Sequence, residues 1–261
     1  MKFWFSLAVL AIWLAGCDRA SQSPAPAPPA VPAPDGKLEA ALGLKHTGKL
    51  AEARVALLEL ATTNASDQVF VELNEIDSQI LFTATPAPEK VDYTVQAGDS
   101  LDKIAKKFGT TVQLIKKSNN LSRDMIRAGD WVRVYQGKFA VEISKLANML
   151  TVPDAGKFFK RYRVGTGQFS KTPVGEFKIT SRIESPPWYR GDGKTIPFGD
   201  PENILGTHWL GLNVPGYGIH GTWDTNSIGH QASAGCVRLL NDDVAELYAM
   251  LPIGTPVTIH D

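Results

Sequence analysis

The apolar residues of this chain change their spacing several times between residues 1 and 261, and each change marks a different kind of segment. Phe3 to Leu14 is a continuous apolar run with no charge between Lys2 and Asp18. It is shorter than the roughly 20 residues a spanning helix needs. One cation, a short apolar core and small residues behind it read as a secretory signal. Residues 18–36 lose the pattern and become proline-rich, from Pro24 to Pro34. Such density favours an extended polyproline II tether that packs no core.

From 37 to about 85 the period is helical. Leu38, Ala41 and Leu42 form one stripe; Leu50, Ala53, Val55, Ala56, Leu57 and Leu60 form a second, after a turn at His46-Thr47-Gly48. Val69-Phe70 through Ile80-Leu81 predicts a third helix. Residues 91–136 read strand, helix, helix, strand. Tyr93-Thr94-Val95 opens the unit, Asp99 or Ser100 caps a helix with Leu101, Ile104, Ala105 and Phe108 on one face, and Gly109 stops it. Thr111 caps the next helix, and Trp131 to Tyr135 supplies the closing strand. From 137 the period is two: Phe139, Val141 and Ile143, then Tyr162 and Val164, then Phe177 and Ile179, with glycine and proline clusters between. Many short strands with turn signals predict a mainly β domain, sandwich- or barrel-like. One late helix is expected, capped by Asn241 and carrying Val244, Leu247, Tyr248 and Leu251.

Composition narrows the function. Lys+Arg and Asp+Glu are 27 each, so the formal net charge is zero. That argues against a general nucleic-acid binder, which needs a basic excess. Two cysteines, Cys17 and Cys236, exclude a disulfide framework and leave a single bridge open. His208 and His230 have no second ligand at a recognised metal spacing, so neither a metal nor a cofactor is expected.

The candidate chemistry lies in Tyr217-Gly218-Ile219-His220-Gly221-Thr222 and Ser233-Ala234-Gly235-Cys236-Val237-Arg238. A thiolate is the reactive form of cysteine, and a nearby imidazole can take its proton and hold the ion pair. Spacing alone allows His220 and Cys236 to meet without showing that they do. A lone cysteine is more often a buried small hydrophobe.

Several resemblances sharpen this. Leu14-Ala15-Gly16-Cys17 resembles a bacterial lipobox. It implies a signal peptide over 1–16, a lipidated Cys17 as first mature residue and a tether over 17–36; a lipidated Cys17 could not bridge to Cys236. Asp18 resembles the signal retaining lipoproteins at the inner membrane, so the expected location is the envelope, membrane-anchored and facing the periplasm. Thr47 to Ala53 resembles the middle of a tetratricopeptide repeat, but a solenoid needs about three repeats, so residues 37–85 are expected to be a helical spacer or docking hairpin. Tyr93-Thr94-Val95, Gly98-Asp99-Ser100-Leu101, Ile104-Ala105, Gly109, Leu114, Asn120-Leu121 and Gly129-Asp130 resemble the LysM domain, which binds N-acetylglucosamine-containing glycans. That places sugar at Gly98, Asp99 and Ser100 on one side and near Leu121 and Ile126 on the other. Helix capping is the competing role of Asp99 and Ser100.

Residues 137–261 resemble the L,D-transpeptidase catalytic domain. His220-Gly221-Thr222 and Ser233 to Arg238 carry the likeness, with Thr172 to Phe177, Pro187-Trp188-Tyr189 and Asp200 to Asn203 upstream. Ala234 departs from the histidine frequent there. The resemblance implies peptidoglycan stems as substrate, Cys236 as nucleophile, His220 as proton acceptor and donor, and the Gly221 carbonyl orienting His220. It further implies the Gly235 and Cys236 N–H groups as oxyanion donors, and Arg238, Ser233 and Tyr217 at the substrate, with bracing as the alternative for Arg238 and core packing for most aromatics. The expected product is a 3-3 cross-link through a cysteine thioester. The open alternatives are an L,D-carboxypeptidase, attachment of protein to peptidoglycan, and a non-catalytic LysM tether.

Overall fold

The computed structural model describes residues 36–63 and 65–261. The signal peptide, Cys17 and the tether as far as residue 35 lie outside the described residues. Gly36, expected to end the tether, already belongs to the first helix. Among the described residues no helix is long and apolar enough to cross a membrane.

Three helices come first: α1 (Gly36–His46), α2 (Leu50–Thr63) and α3 (Asp67–Phe82). The apolar stripes bury Leu38, Ala41, Ala53, Leu57, Leu73 and Ile76 against one another. Ser66 starts α3 by accepting the Val69 N–H. Next come β1 (Lys90–Thr94), α4 (Leu101–Phe108), α5 (Val112–Ser118) and β2 (Trp131–Tyr135), with β1 and β2 antiparallel. Ser100 and Thr111 cap α4 and α5, and Val95, Leu101, Ile104, Ile115, Val132 and Val134 close a small core between the helices and the ribbon.

The remainder is built on β3 (Val141–Ser144), β4 (Met149–Asp154), β5 (Lys157–Arg163), β6 (Thr166–Gly167), β7 (Gly175–Glu184), β8 (Trp188–Tyr189), β9 (Thr195–Ile196), β10 (His208–Leu212), β11 (Gly218–Gly221), β12 (Gln231–Ser233), β13 (Val237–Leu239), α6 (Asn241–Met250) and β14 (Pro256–His260). Eight of these strands form one mixed sheet in the order β13-β11-β10-β7-β14-β3-β4-β5. The long β7 runs through its centre, pairing with β10 along one half and β14 along the other. The sheet curls around Ile143, Leu150, Phe159, Ile179, Leu210, Ile219 and Leu239, with α6 adding Val244, Leu247 and Leu251 to the same core. The mainly β, near-barrel expectation is met.

The helical segment differs from a free-standing spacer. It packs along β5, which ends the sheet and would otherwise expose unpaired backbone. Asn74 of α3 supplies the missing strand: its amide donates to the Arg161 carbonyl at 2.7 Å and its oxygen accepts the Arg161 N–H at 3.0 Å. Phe158 turns outward from β5 into the helical core while Phe159 turns inward. Beside them Glu246 of α6 accepts from Lys160 at 2.5 Å, Ser78 at 2.6 Å and Tyr162 at 2.8 Å. The βααβ unit is docked as well. Leu114 is buried in the main core, the Thr111 hydroxyl donates to the Ala249 carbonyl, and Arg182 of β7 donates to Gln113 Oε1 at 3.4 Å.

Lys160 is 3% exposed, so its ammonium depends on Glu246. Removing one partner of a buried ion pair typically costs about 3–5 kcal/mol, whereas an exposed pair contributes under about 1 kcal/mol. Glu246→Ala is expected to fall in the first range by urea unfolding, with α3 losing amide-exchange protection. Asp67→Ala, which removes the exposed partner of Arg161, is expected to fall in the second.

Candidate active site

Parallel pairing of β11 with β13 sets Ile219 beside Val237, His220 beside Arg238 and Gly221 beside Leu239. Side chains alternate along a strand. Cys236, one residue ahead of β13, therefore shares a face with Arg238 and His220. Both His220 and Cys236 line a cavity of about 620 Å³, with Tyr217, Ser233, Ala234, Gly235 and Arg238 around them and an apolar wall from Ile183, Pro186, Pro187, Trp188, Tyr189, Ile204, Leu205 and Trp209. Trp188, Tyr189, Trp209 and Tyr217 all line this cavity, against the core packing expected for most of them.

His220 is buried in the middle of β11 and its ring stacks on Trp209, its cross-strand partner on β10, at 5.8 Å between centroids. Its Nδ1 lies 2.6 Å from the Gly221 carbonyl oxygen. A carbonyl only accepts, so Nδ1 carries the hydrogen and the neutral ring keeps its lone pair on Nε2. Burial pushes the imidazole down to about 4; the Arg238 charge adds to this, while the Gly221 and Leu205 carbonyls oppose it. Gly221 is held by Asn241: a Cβ there would collide with Asn241 Oδ1, which itself accepts the Thr207 N–H at 3.0 Å. Asn241 was expected to cap α6, yet no side-chain cap bond forms there. Its side-chain oxygen packs against Gly221 and binds the Thr207 N–H instead. A polar residue at a helix start reads as a cap in sequence, and only the return of β10 and β11 reveals the other partner.

The Cys236 thiol donates to the Gly216 carbonyl at 3.4 Å rather than to the imidazole. Burial pushes this thiol up, with the Gly218 N–H and Arg238 pulling the other way. At neutral pH the resting pair is therefore thiol and neutral imidazole. Burial penalises both charged forms.

The loop before Cys236 is tightly bonded. Ser233 Oγ accepts the Gly235 N–H at 3.0 Å and donates to the Cys236 carbonyl at 2.6 Å. The Gly235 N–H and the Ser233 hydroxyl are thus engaged within the loop while both residues line the cavity. Gly235 sits at φ +142°, and a Cβ there would lie 2.8 Å from the Tyr217 ring, so only glycine fits. Tyr217 supports this loop while lining the cavity. Thr172, not singled out by itself in the sequence, donates to the Gly235 carbonyl at 2.9 Å and accepts the Gly167 N–H at 2.7 Å. Arg238 lies 3.7 Å from Asp224, too long for a paired brace, so its guanidinium remains available to the cavity.

In the βααβ unit, Asp99 accepts from Tyr93 OH at 2.7 Å and Gln96 N–H at 2.8 Å, and Ser100 accepts the Lys103 N–H at 3.2 Å. Ser100 is the cap of α4, whereas Asp99 closes the turn ahead of it and caps nothing. Leu121 and Ile126 pack half-buried against the small core, while Gly98 and Met125 are exposed beside them.

The YkuD family, described as the L,D-transpeptidase catalytic domain, matches residues 138–259, and the LysM domain matches residues 93–134. Among relatives, YqjB of Bacillus subtilis strain 168 is 41% identical over 46% of this chain and 70% of its own length. YkuD of the same organism is 33% identical over 64% of this chain and 98% of its own. Both carry an L,D-transpeptidase name. A solved L,D-transpeptidase from Mycobacterium smegmatis aligns with 23% identity and a TM-score of 0.41, covering 51% of this chain and 64% of that one.

The depressed imidazole has a stability consequence. Between the ordinary value of 6.5 and about 4, the unfolded chain binds a proton on this ring that the folded chain refuses. Stability on this account is full above 6.5, falls as pH drops toward 4 and levels off below, by up to about 3 kcal/mol. Urea melts at pH 7 and 4.5 should show a larger loss for the native chain than for His220→Asn.

Proposed function

Since the chain belongs to the L,D-transpeptidase family, with a LysM domain ahead of the catalytic domain, we propose that it forms 3-3 cross-links in peptidoglycan through a thioester on Cys236. The observation that carries this reading is the orientation of His220 by the Gly221 carbonyl, with Nε2 left to act as base, in the cavity that Cys236 also lines.

The thiol leaves the Gly216 carbonyl and attacks the carbonyl carbon of the third stem residue while Nε2 takes its proton. The developing oxyanion meets the Cys236 N–H, in a site where burial strengthens such a bond. The bond to the terminal D-alanine then breaks, the imidazolium protonates the departing amine, and the acyl group remains on sulfur. The side-chain amine of a second stem attacks the thioester and loses a proton to Nε2. The sulfur departs and recovers that proton, leaving the cross-link and the free thiol. Arg238 holds a stem carboxylate at the cavity rim. Because sulfur and imidazole both begin neutral, charge appears only as attack proceeds, where general-base help of about 10²–10⁴-fold is realised. Water as acceptor would give a carboxypeptidase, and a protein amine would give protein attachment, by the same first half-reaction.

The same proposal includes lipidation of Cys17 and anchoring at the inner membrane facing the periplasm, supported by the lipobox-like residues and Asp18. The LysM domain would hold glycan close to the stems.

Purified mature protein incubated with tetrapeptide stems and analysed by mass should yield 3-3 dimers; tripeptides alone would mean trimming. Cys236→Ser should lose at least about 10³-fold in turnover and all covalent labelling by carbapenems. Retained turnover would remove Cys236 as nucleophile. Ser233→Ala is expected to lower kcat by about 10–100-fold with KM little changed, since it loosens the loop that sets the reacting geometry.

A further inference from the structure

The loop that carries the thiol leaves one backbone group open. The Gly235 N–H donates to Ser233 Oγ at 3.0 Å, the Cys236 carbonyl accepts from Ser233 Oγ at 2.6 Å, and the Gly235 carbonyl accepts from Thr172 Oγ1 at 2.9 Å. The Cys236 N–H has no protein acceptor among the described residues. It belongs to the same peptide unit as the Gly235 carbonyl, and a planar trans peptide points its N–H and C=O in opposite directions. Whatever fixes that carbonyl therefore fixes the direction of the N–H. Thr172 is 1% exposed and is not among the residues that line the cavity. A carbonyl only accepts, so the Thr172 hydroxyl hydrogen is directed at Gly235, while a lone pair of the same oxygen takes the Gly167 N–H at 2.7 Å.

We propose, resting on the reading above, that Thr172 is a positioning residue: it sets the plane of the Gly235–Cys236 peptide so that the Cys236 N–H faces the cavity as oxyanion donor. The segment that delivers Thr172 is shaped around this contact. β6 pairs with β12 so that Gly167 lies beside Ser233, at the root of the nucleophile loop. A Cβ on Gly167 would lie 2.7 Å from Thr172 N and 2.9 Å from Gly235 Cα, so the two loops meet main chain to main chain. Between Gly167 and Thr172 the chain turns through Phe169 at φ +52° and Ser170 at φ +56°, two successive non-glycine residues in the left-handed region. Such conformations persist only where the surroundings impose them. Packing of the aromatic ring does not offset the strain, since Phe169 is 89% exposed. The ends of the turn do, because Gly167 and Thr172 are both held against the nucleophile loop. Gly167 N–H, Thr172 hydroxyl and Gly235 carbonyl also run donor to acceptor in one direction, which polarises the peptide and strengthens its N–H as a donor.

Two reagents separate carbonyl attack from thiol reactivity. Acylation of Cys236 by a carbapenem builds an oxyanion; alkylation by iodoacetamide displaces iodide at a saturated carbon and builds none, while both need the thiol to ionise. In the full-length mature protein, Thr172→Val is expected to slow acylation about 10–100-fold, short of the roughly 10²–10³-fold loss of a whole oxyanion donor, while alkylation stays within about twofold. Thr172→Ser keeps the hydroxyl and should recover acylation to within about threefold of the parent. The amide proton resonance of Cys236 should move upfield in Thr172→Val and return in Thr172→Ser. Should Thr172→Val not fold, Thr172→Ala removes the hydroxyl at smaller volume and carries the same expectations. Unchanged acylation without the hydroxyl, an equal fall in both rates, or a serine that fails to recover acylation would overturn the role of Thr172. A parent chain that the carbapenem never acylates would strike the proposed reaction instead, and the amide resonance would still decide whether Thr172 sets the peptide.

Discussion

The placement of His220 and Cys236 on one face depends on one strand pairing. β13 lies parallel to β11 at the edge of the sheet, and that register sets His220 beside Arg238 with Cys236 one alternate position away. A slip of one residue would turn Cys236 to the opposite face. Within β11 the histidine is then fixed by its own neighbour, the Gly221 carbonyl, and by Trp209 on the next strand. A backbone acceptor performs the orienting task that a carboxylate performs in other triads. It brings no charge, which has a direct electrostatic consequence.

With no carboxylate behind it, nothing nearby stabilises an imidazolium strongly, and burial dominates. His220 is held neutral and the Cys236 thiol is held protonated. Thiolate is the form that oxidises and exchanges disulfides. A buried neutral thiol resists both. Excluding water also strengthens any hydrogen bond the Cys236 N–H makes within the cavity.

Local patterns in the sequence were sufficient for the elements themselves. Stripes at helical spacing around Leu57 and Ile76, the caps at Ser100 and Thr111, and the alternation at Val141 and Ile143 all became the expected helices and strands. His220 and Cys236 could be named because nucleophile and base are chemically distinctive. What escaped depended on how the backbone folds back on itself. Asn241 looked like a cap because its partner, Thr207, lies 34 positions away. Gly235 looked like an open N–H donor because the hydroxyl that occupies it, from Ser233, is visible only once the loop folds back. Asp99 lay between two roles in sequence, and the Tyr93 hydroxyl and Gln96 N–H engage it locally.

The helical segment shows why periodicity misjudges a module's purpose. Its stripes resemble those of a repeat, and too short a repeat reads as a spacer. The sheet supplies the missing reason: β5 ends it with backbone groups that need partners. Asn74 meets two of them with one side-chain amide, and Phe158, alternating with Phe159, completes the helical core from outside. Neither surface is whole alone. α3 also carries Leu81 and Phe82 into contact with the main core, so the helices, the LysM domain and the catalytic sheet meet at one junction. A chain that docks its glycan-binding domain against its catalytic sheet gives up reach, since the domain cannot search independently. It gains a fixed placement of that domain relative to the cavity.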